Sequence, residues 1–559
     1  MKVLVTGGTG VIGEGLMPAL LEGGHTVRLL TRGAGEDARR WPDGVEAFPA
    51  DVSRPETLDG AAEGCEAVVH ITGIVEESPP DVTFELVNVE GTRNMMREAE
   101  RAGVDRFIFI SSLGADRGES DYHRSKLRAE EAVMSYPGMW LIFRPGNVYG
   151  PGDEIISTLL KMIRSLPAVP VIDNGEQRFQ PIWHEDLGKA ILRAVEDESI
   201  YGQALDLSGP DITSMNDVLD RLSQITGRSP LRVPVPSFLA SIGIRVNDIT
   251  SLGSRLAEAL GLNTTINESK LQMLQEENFI REGTANGLTG VLGISPTPLD
   301  EGLRRLADQV PELLPAEGVG SLERKRFWAD IEKSDYSPEE LLELFRANCT
   351  EIMPIEFSAE PGAPQEVIEG ATLTAALPLR GNIQIRVEKV SDRRISFATI
   401  EGHPLAGIVE FITGDSEQGV RFMVQVHARA ANLFDLVAMR TVGSGMQRSN
   451  WERVVERMVR LSGGDAPGGI QTEESKLDEQ EAAAVEAEIK EMVIRRKRES
   501  AEVGKHARDR VESEPDREQA IPETVGGAIE GMMATANTAA EALARAATKI
   551  ADKLNEKKG

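Results

Sequence analysis

The first thirteen residues, Met1-Lys-Val-Leu-Val-Thr-Gly-Gly-Thr-Gly-Val-Ile-Gly13, constrain the fold more than any other stretch of the chain. Val3, Leu4 and Val5 make an apolar run suited to a parallel strand covered on both faces, and Gly7, Gly10 and Gly13 follow at three-residue spacing. Gly7 suits a tight turn, Gly10 lets backbone N–H groups approach a pyrophosphate, and Gly13 lets a helix pack against the strand. The first turn of that helix, Val11, Ile12 and Gly13, then faces the anion. A glycine-rich loop without function would carry the same three glycines, so residues farther along must decide.

They continue the pattern. Leu16 and Leu20 sit at helical spacing before Gly23-Gly24, and Thr26–Thr31 reads as a second strand. NAD-specific versions of this unit place an acid near the end of that strand to accept the ribose hydroxyls. Here Thr31-Arg32 stands there instead, and a guanidinium pairs with a 2′-phosphate, so NADP is expected with NAD left open. A solvated loop arginine is the plainer alternative. A third strand, Val45 to Asp51-Val52, ends in an acid able to bond the adenine amino group. A fourth, from Ala67, runs into the small turn Thr72-Gly73; a helix around Asn88 and a strand Arg106 to Ser112 come next. Alternating strands and helices point to an α/β, doubly wound parallel sheet.

At 559 residues the chain is too long for one core. A formal charge of −29 with 4% aromatic residues argues against nucleic acid and anionic membranes as partners. Cys65 and Cys349 are too few and too far apart for a disulfide framework or a metal site, so a reducing, cytoplasmic setting is expected. With the first strand at the start and no apolar run approaching twenty residues, neither a signal peptide nor a transmembrane segment is expected.

Taken together, Thr6 to Gly13, Asp51-Val52, Asn88-Val-Glu-Gly-Thr92, Ser111-Ser112, Tyr122-His-Arg-Ser-Lys126, Arg144 to Asp153 and Pro181 to Asp186 resemble the extended or atypical short-chain dehydrogenase/reductases, which include NAD-dependent epimerase/dehydratase domains. The resemblance covers about residues 1–310. Within that superfamily the chain looks most like the group of the 39-kDa accessory subunit of respiratory complex I.

Tyr122 and Lys126 stand at i and i+4, on one helix face. A neighbouring ammonium favours the phenolate, so Tyr122 is expected to exchange a proton with a substrate hydroxyl or carbonyl. The resemblance implies that Lys126 also bonds the nicotinamide ribose, that Ser112 polarises the substrate oxygen, and that Asn88 holds a relay water. It further implies that Pro145, Asn147 and Val148 wrap the nicotinamide end; the Asn147 amide tying its own loop is an equal alternative. His184 is expected to be a structural hydrogen-bonding residue rather than a catalytic one. Leu113-Gly114-Ala115 after Ser112 lacks the acid pair that sugar dehydratases use, so that dehydration is not expected. Apolar, helix-like stretches at Ser237–Ile244 and Leu252–Leu262 suit either a greasy ligand or a core.

Domains are expected at 1–315, 321–464 and 465–559. Proline and glycine around Val310–Gly320 mark a linker. Beyond it a helix near 338–348, alternating strands between Gly370 and His427, and a helix near 445–461 indicate an α+β unit. Glu401 to Gly407 and Asn450-Trp451 resemble the uncharacterised DUF1990 family, with a START or Bet v 1-like helix-grip shape implied. His403 is expected to fix a strand turn. Residues 476–518 read as a charged, solvated helix or disordered tail, and 527–553 as an alanine-rich helix. The expected function is NAD(P)-dependent hydride transfer at a carbonyl or secondary alcohol of a small molecule, an apolar one being left open. A nucleotide-sugar epimerase and a non-catalytic, NADPH-binding assembly or sensor protein are the alternatives, and the oligomeric state is open.

Overall fold

Seven parallel strands carry the N-terminal half in the computed structural model, which describes residues 1–41, 44–165, 168–235, 276 and 278–507 except 355, 358–359, 378–380, 418, 432–434 and 436–443. They are β1 (Lys2–Thr6), β2 (Thr26–Thr31), β3 (Val45–Pro49), β4 (Ala67–His70), β5 (Arg106–Ile110), β6 (Met139–Pro145) and β7 (Gln203–Leu207). Their order is β7-β6-β5-β4-β1-β2-β3, so the winding reverses between β1 and β4 and opens a crevice at the strands' carboxyl ends.

Strand period explains the two covered faces. Val3 and Val5 point into one core with Leu16 of α1 (Val11–Glu22) and Leu187 and Ile191 of α5 (His184–Glu196). Leu4 points into the other, with Met95 and Ala99 of α2 (Gly91–Arg101) and Ala129 and Val133 of α3 (Asp121–Val133). Helices α1 and α5 touch backbone to backbone: a Cβ on Gly15 would fall 2.2 Å from the His184 carbonyl oxygen, and one on Gly188 2.3 Å from that of Gly15. A smaller unit of α4 (Ile156–Ser165), α6 (Met215–Thr226) and α7 (Leu299–Asp308) packs around Tyr149, Leu160, Trp183, Leu219 and Leu303.

A separate antiparallel sheet follows, built from β8 (Val319–Ile331), β9 (Glu356–Phe357), β10 (Thr372–Leu377), β11 (Gly381–Ser391), β12 (Arg394–Thr399), β13 (Leu405–Ser416), β14 (Gly419–Ala430) and β15 (Gln471–Lys476). Its order is β9-β10-β11-β12-β13-β14-β8-β15. One face, with Phe327, Phe397, Phe411 and Phe422, closes on Phe345 of α8 (Pro338–Ala347) and on Val454, Val455 and Met458 of α9 (Ser444–Leu461). Phe345 stacks on Phe411 at 4.2 Å between ring centres.

Two stretches differ from expectation. The last two residues of the expected linker, Val319 and Gly320, already belong to the 13-residue strand β8. The polar Gln471–Lys476 pairs with β8 as an edge strand, and α10 (Glu479–Ala507) docks instead of standing in solvent. Ile489 and Met492 of α10 pack on Ile408, Arg496 pairs with Glu388 at 2.7 Å, and Arg498 donates to the Trp41 carbonyl at 3.1 Å. A buried pair, Arg164 of α4 and Glu360, joins the two units at 2.7 Å. The stretches 237–244, 252–262 and 527–553 lie outside the described residues. Among the described residues no helix is long and apolar enough to cross a membrane.

Candidate functional site

The glycine-rich turn lies at the carboxyl end of β1, on the crevice. Gly7 has φ +70, and a Cβ there would meet the Thr72 amide at 2.8 Å, so both backbone and space require glycine. A Cβ on Gly13 would fall 2.0 Å from the Gly8 carbonyl oxygen; Gly13 thus packs the helix against its own turn rather than against the strand. Gly10 is different: a Cβ there would meet nothing nearer than the Gly7 carbonyl oxygen at 3.9 Å. It caps α1 without a side-chain bond, leaving the amides of Val11, Ile12 and Gly13 at a positive helix end beside open space. That cradle fits a pyrophosphate.

At the end of β2, Arg32 is exposed and acts electrostatically on Asp51. Burial opposes ionisation of Asp51, but the Ser53 amide and hydroxyl, at 2.9 and 2.7 Å, together with Arg32, hold its carboxyl below the ordinary range. Val52 is buried, and its carbonyl accepts from Asn94 Nδ2 at 2.9 Å. Sequence reasoning missed Asp37, whose Oδ2 accepts from the Thr31 hydroxyl at 2.6 Å. A carboxylate therefore stands close to the arginine at the strand end.

Beyond β5, the buried Ser112 hydroxyl donates to the Leu113 carbonyl at 3.5 Å, and half-buried Tyr122 stands near the start of α3. Phe84 meets the Tyr122 ring edge-on at 6.1 Å. Lys126, one turn on, donates to the Ile110 carbonyl at 3.0 Å and stands 2.8 Å from where a Cβ on Gly73 would be. The expected acidification of Tyr122 by this ammonium is not the dominant effect. Burial pushes the phenol up, and the nearby Ser112 hydroxyl pulls it back. Burial also pushes Lys126 down to about 8, against the pull of Glu130.

Asn88 is engaged otherwise than expected. Its Oδ1 accepts from the Ile74 amide at 2.8 Å, while Nδ2 donates to the Ile74 carbonyl at 3.1 Å and to Ser125 Oγ at 3.0 Å. Both amide protons are spent on the turn after Thr72-Gly73 and on α3, so the side chain positions that turn and has no proton left for a relay water. Pro145 accepts from the Leu113 amide at 2.8 Å, and Val148 pairs with Ile182. Asn147 Oδ1 is buried and lacks a protein partner, so this oxygen does not tie the loop to itself.

Three charged residues complete the surroundings. Glu130, fully buried at i+4 from Lys126, accepts from the Ser111 hydroxyl and from Arg144 Nη2 at 2.6 Å. The i, i+4 spacing extends from Tyr122 and Lys126 to Glu130, so this residue was legible in principle. Glu276 was not: its Oε1 accepts from the Glu119 and Ser120 amides at 2.7 Å, capping α3 from more than 150 residues away. His184 corrects its expectation, since neither ring nitrogen has a protein partner; the ring packs edge-on to Trp183 at 4.4 Å and burial pushes it down to about 4. His403 does fix a strand turn, accepting from the Leu405 amide at 3.0 Å.

Residues 3–204 match the family model described as "NAD dependent epimerase/dehydratase family". A ceramide reductase of Caulobacter vibrioides is 31% identical over 245 residues, covering 43% of this chain and 75% of that protein. Subunit 9 of the NADH dehydrogenase (ubiquinone) 1 alpha subcomplex of Arabidopsis thaliana is 27% identical over 42% of this chain and 60% of that protein. Among solved structures, MoeE5 in complex with UDP-glucose and NAD aligns with a TM-score of 0.42 and 21% identity, over 55% of this chain and 97% of that one. On the family match and the reductase similarity, the chain belongs to the NAD dependent epimerase/dehydratase family.

Proposed function

We propose that the protein is an NAD(P)-dependent oxidoreductase that moves a hydride to or from a carbonyl or secondary alcohol carbon of a small molecule. The observation that carries this reading is Tyr122 with buried Lys126 one helical turn on and Ser112 near the phenol, the lysine packed on the Thr72-Gly73 turn against which Gly7 and the uncapped start of α1 are set. The cradle of Gly10, Val11, Ile12 and Gly13 suits the pyrophosphate, Lys126 suits a ribose hydroxyl, and the unpartnered Asn147 oxygen suits a carboxamide. When bound, the nicotinamide coenzyme supplies or accepts the hydride. Ser112 then donates a hydrogen bond to the substrate oxygen, and Tyr122 gives or takes its proton. A phenol kept protonated by burial is suited to act as the acid in the reducing direction.

Arg32 supports NADP over NAD, with Asp37 limiting the preference. An apolar substrate is supported by the similarity to a protein named for ceramide reduction. The second domain is read as DUF1990-like, with a helix-grip shape, because its sheet closes on α8 and α9. Two free, buried thiols, Cys65 and Cys349, suit a reducing cytoplasm. The family's description favours a second reading, epimerisation, in which the same hydride leaves and returns on one retained coenzyme. Incubation with a panel of long-chain ketones and of nucleotide sugars decides. Coenzyme consumption with the ketones, lost in Tyr122→Phe, is expected; sugar interconversion without net consumption would replace this reading by the second.

A further inference from the structure

One buried titratable group has no part in that chemistry. His70 ends β4 with no solvent exposure, next to Thr6 in the parallel register of β1 and β4. Its Nδ1 lies 2.8 Å from Thr6 Oγ1, and its Nε2 lies 3.2 Å from Thr92 Oγ1 on α2.

Proton counting gives these contacts a direction. Thr92 Oγ1 donates its only proton to the Asn88 carbonyl at 2.6 Å, so toward His70 it can only accept, and Nε2 must carry hydrogen. A neutral imidazole has one N–H, so Nδ1 accepts and the Thr6 hydroxyl donates to it. Thr6 Oγ1 accepts in turn from the Thr72 amide at 3.3 Å. The bonds therefore run one way, from the main chain against which Gly7 packs, through Thr6, His70 and Thr92, to Asn88. From there the Asn88 amide reaches Ser125, whose hydroxyl donates to the Tyr122 carbonyl at 2.7 Å. Phe109 stacks on the imidazole at 5.9 Å, and burial together with the charge of Lys126 pushes the ring down to about 3, so it stays neutral.

We propose that His70 is a positioning residue, a neutral imidazole protonated at Nε2 that fixes the glycine turn relative to the Asn88–Ser125–Tyr122 side of the site. This rests on the coenzyme reading above. A buried imidazole can hold both sides at once because it presents one donor and one acceptor about a ring's width apart, which neither an aliphatic nor a phenyl side chain can do.

The test has two arms on the full chain. Ring nitrogen-15 spectra, with the signal assigned by its loss in His70→Phe, are expected to report the Nε2–H tautomer without titration between about pH 8 and pH 5. An Nδ1–H tautomer or an imidazolium in that interval overturns the proposal. In the second arm, NADPH and NADH affinities are measured for Thr6→Val, Thr92→Val and the double variant, with His70 present and in a His70→Phe or His70→Leu background. A bridge predicts non-additivity of about threefold or more with His70 present and none without it. Additive losses in both backgrounds mean a merely packed ring and overturn the role. If the unaltered chain bound neither coenzyme, the functional reading would fall and the positioning role with it, while the tautomer result would stand by itself.

Discussion

The Lys126 ammonium occupies space that any side chain at position 73 would need: a Cβ on Gly73 would lie 2.8 Å from Nζ and 3.3 Å from Asn88 Oδ1. The turn after β4 is thus moulded around the two groups that flank Tyr122. Gly73→Ala is expected to displace Lys126 and lower turnover about 10- to 100-fold while leaving the folded state intact. Steady-state kinetics beside circular dichroism check this; unchanged turnover would mean that the lysine position does not matter.

Lys126 also sets a pH dependence. Its ammonium is pushed from the ordinary 10.5 down to about 8, so the donor to a ribose hydroxyl is present below that pH and lost above it. NADPH affinity is expected to fall as pH rises through about 8. Folding responds with the opposite sign. Between about 8 and 10.5 the unfolded lysine holds a proton that the folded one has released, so stability contributed by this group rises with pH there. Urea titrations across that interval, with Lys126→Met as the reference lacking the slope, measure the effect.

Arg32 and Asp37 place opposite charges at the end of β2. Arg32→Ala is expected to weaken NADPH binding about tenfold with little effect on NADH, the size of one charge-assisted contact. Equal losses for both coenzymes would assign Arg32 to adenine or to the loop alone.

Between the two units, Arg164 and Glu360 are each 6% exposed, and the arginine also donates to the Ala307 carbonyl at 3.1 Å. Removing one partner leaves a buried charge uncompensated, so Glu360→Leu is expected to cost about 3–5 kcal/mol, much of it restored by the double variant with Arg164→Met. Chemical denaturation checks both; a single variant as stable as the parent would mean that water reaches the pair.

Much of this site was legible because its residues lie at fixed local spacings. The three glycines and the Tyr122-Lys126 pair lie at short sequence intervals, and Asp51 and Ser112 follow the ends of apolar strands. What was not legible depends on distance or on polar strands. Glu276 reaches α3 from a different part of the chain, and no local pattern announces it. Strand β8 carries Arg324, Lys325 and Arg326 in a row, which hides its alternation, although Lys325 is buried with its ammonium 2.9 Å from Gln447 Oε1. Gln471–Lys476 has no apolar residue at all and is a strand only because β8 offers it an unpaired edge.

The most direct measurement is titration calorimetry of NADPH and NADH against the unaltered chain and Gly10→Val. Gly10 has φ −89, a backbone that valine adopts readily, and its side faces open space, so the variant should fold as the parent does. The account predicts one coenzyme bound per chain in the parent and no heat in Gly10→Val at the same melting temperature, because the new side chain fills the pyrophosphate's place. A silent parent, or a variant that binds as well as the parent, would contradict it.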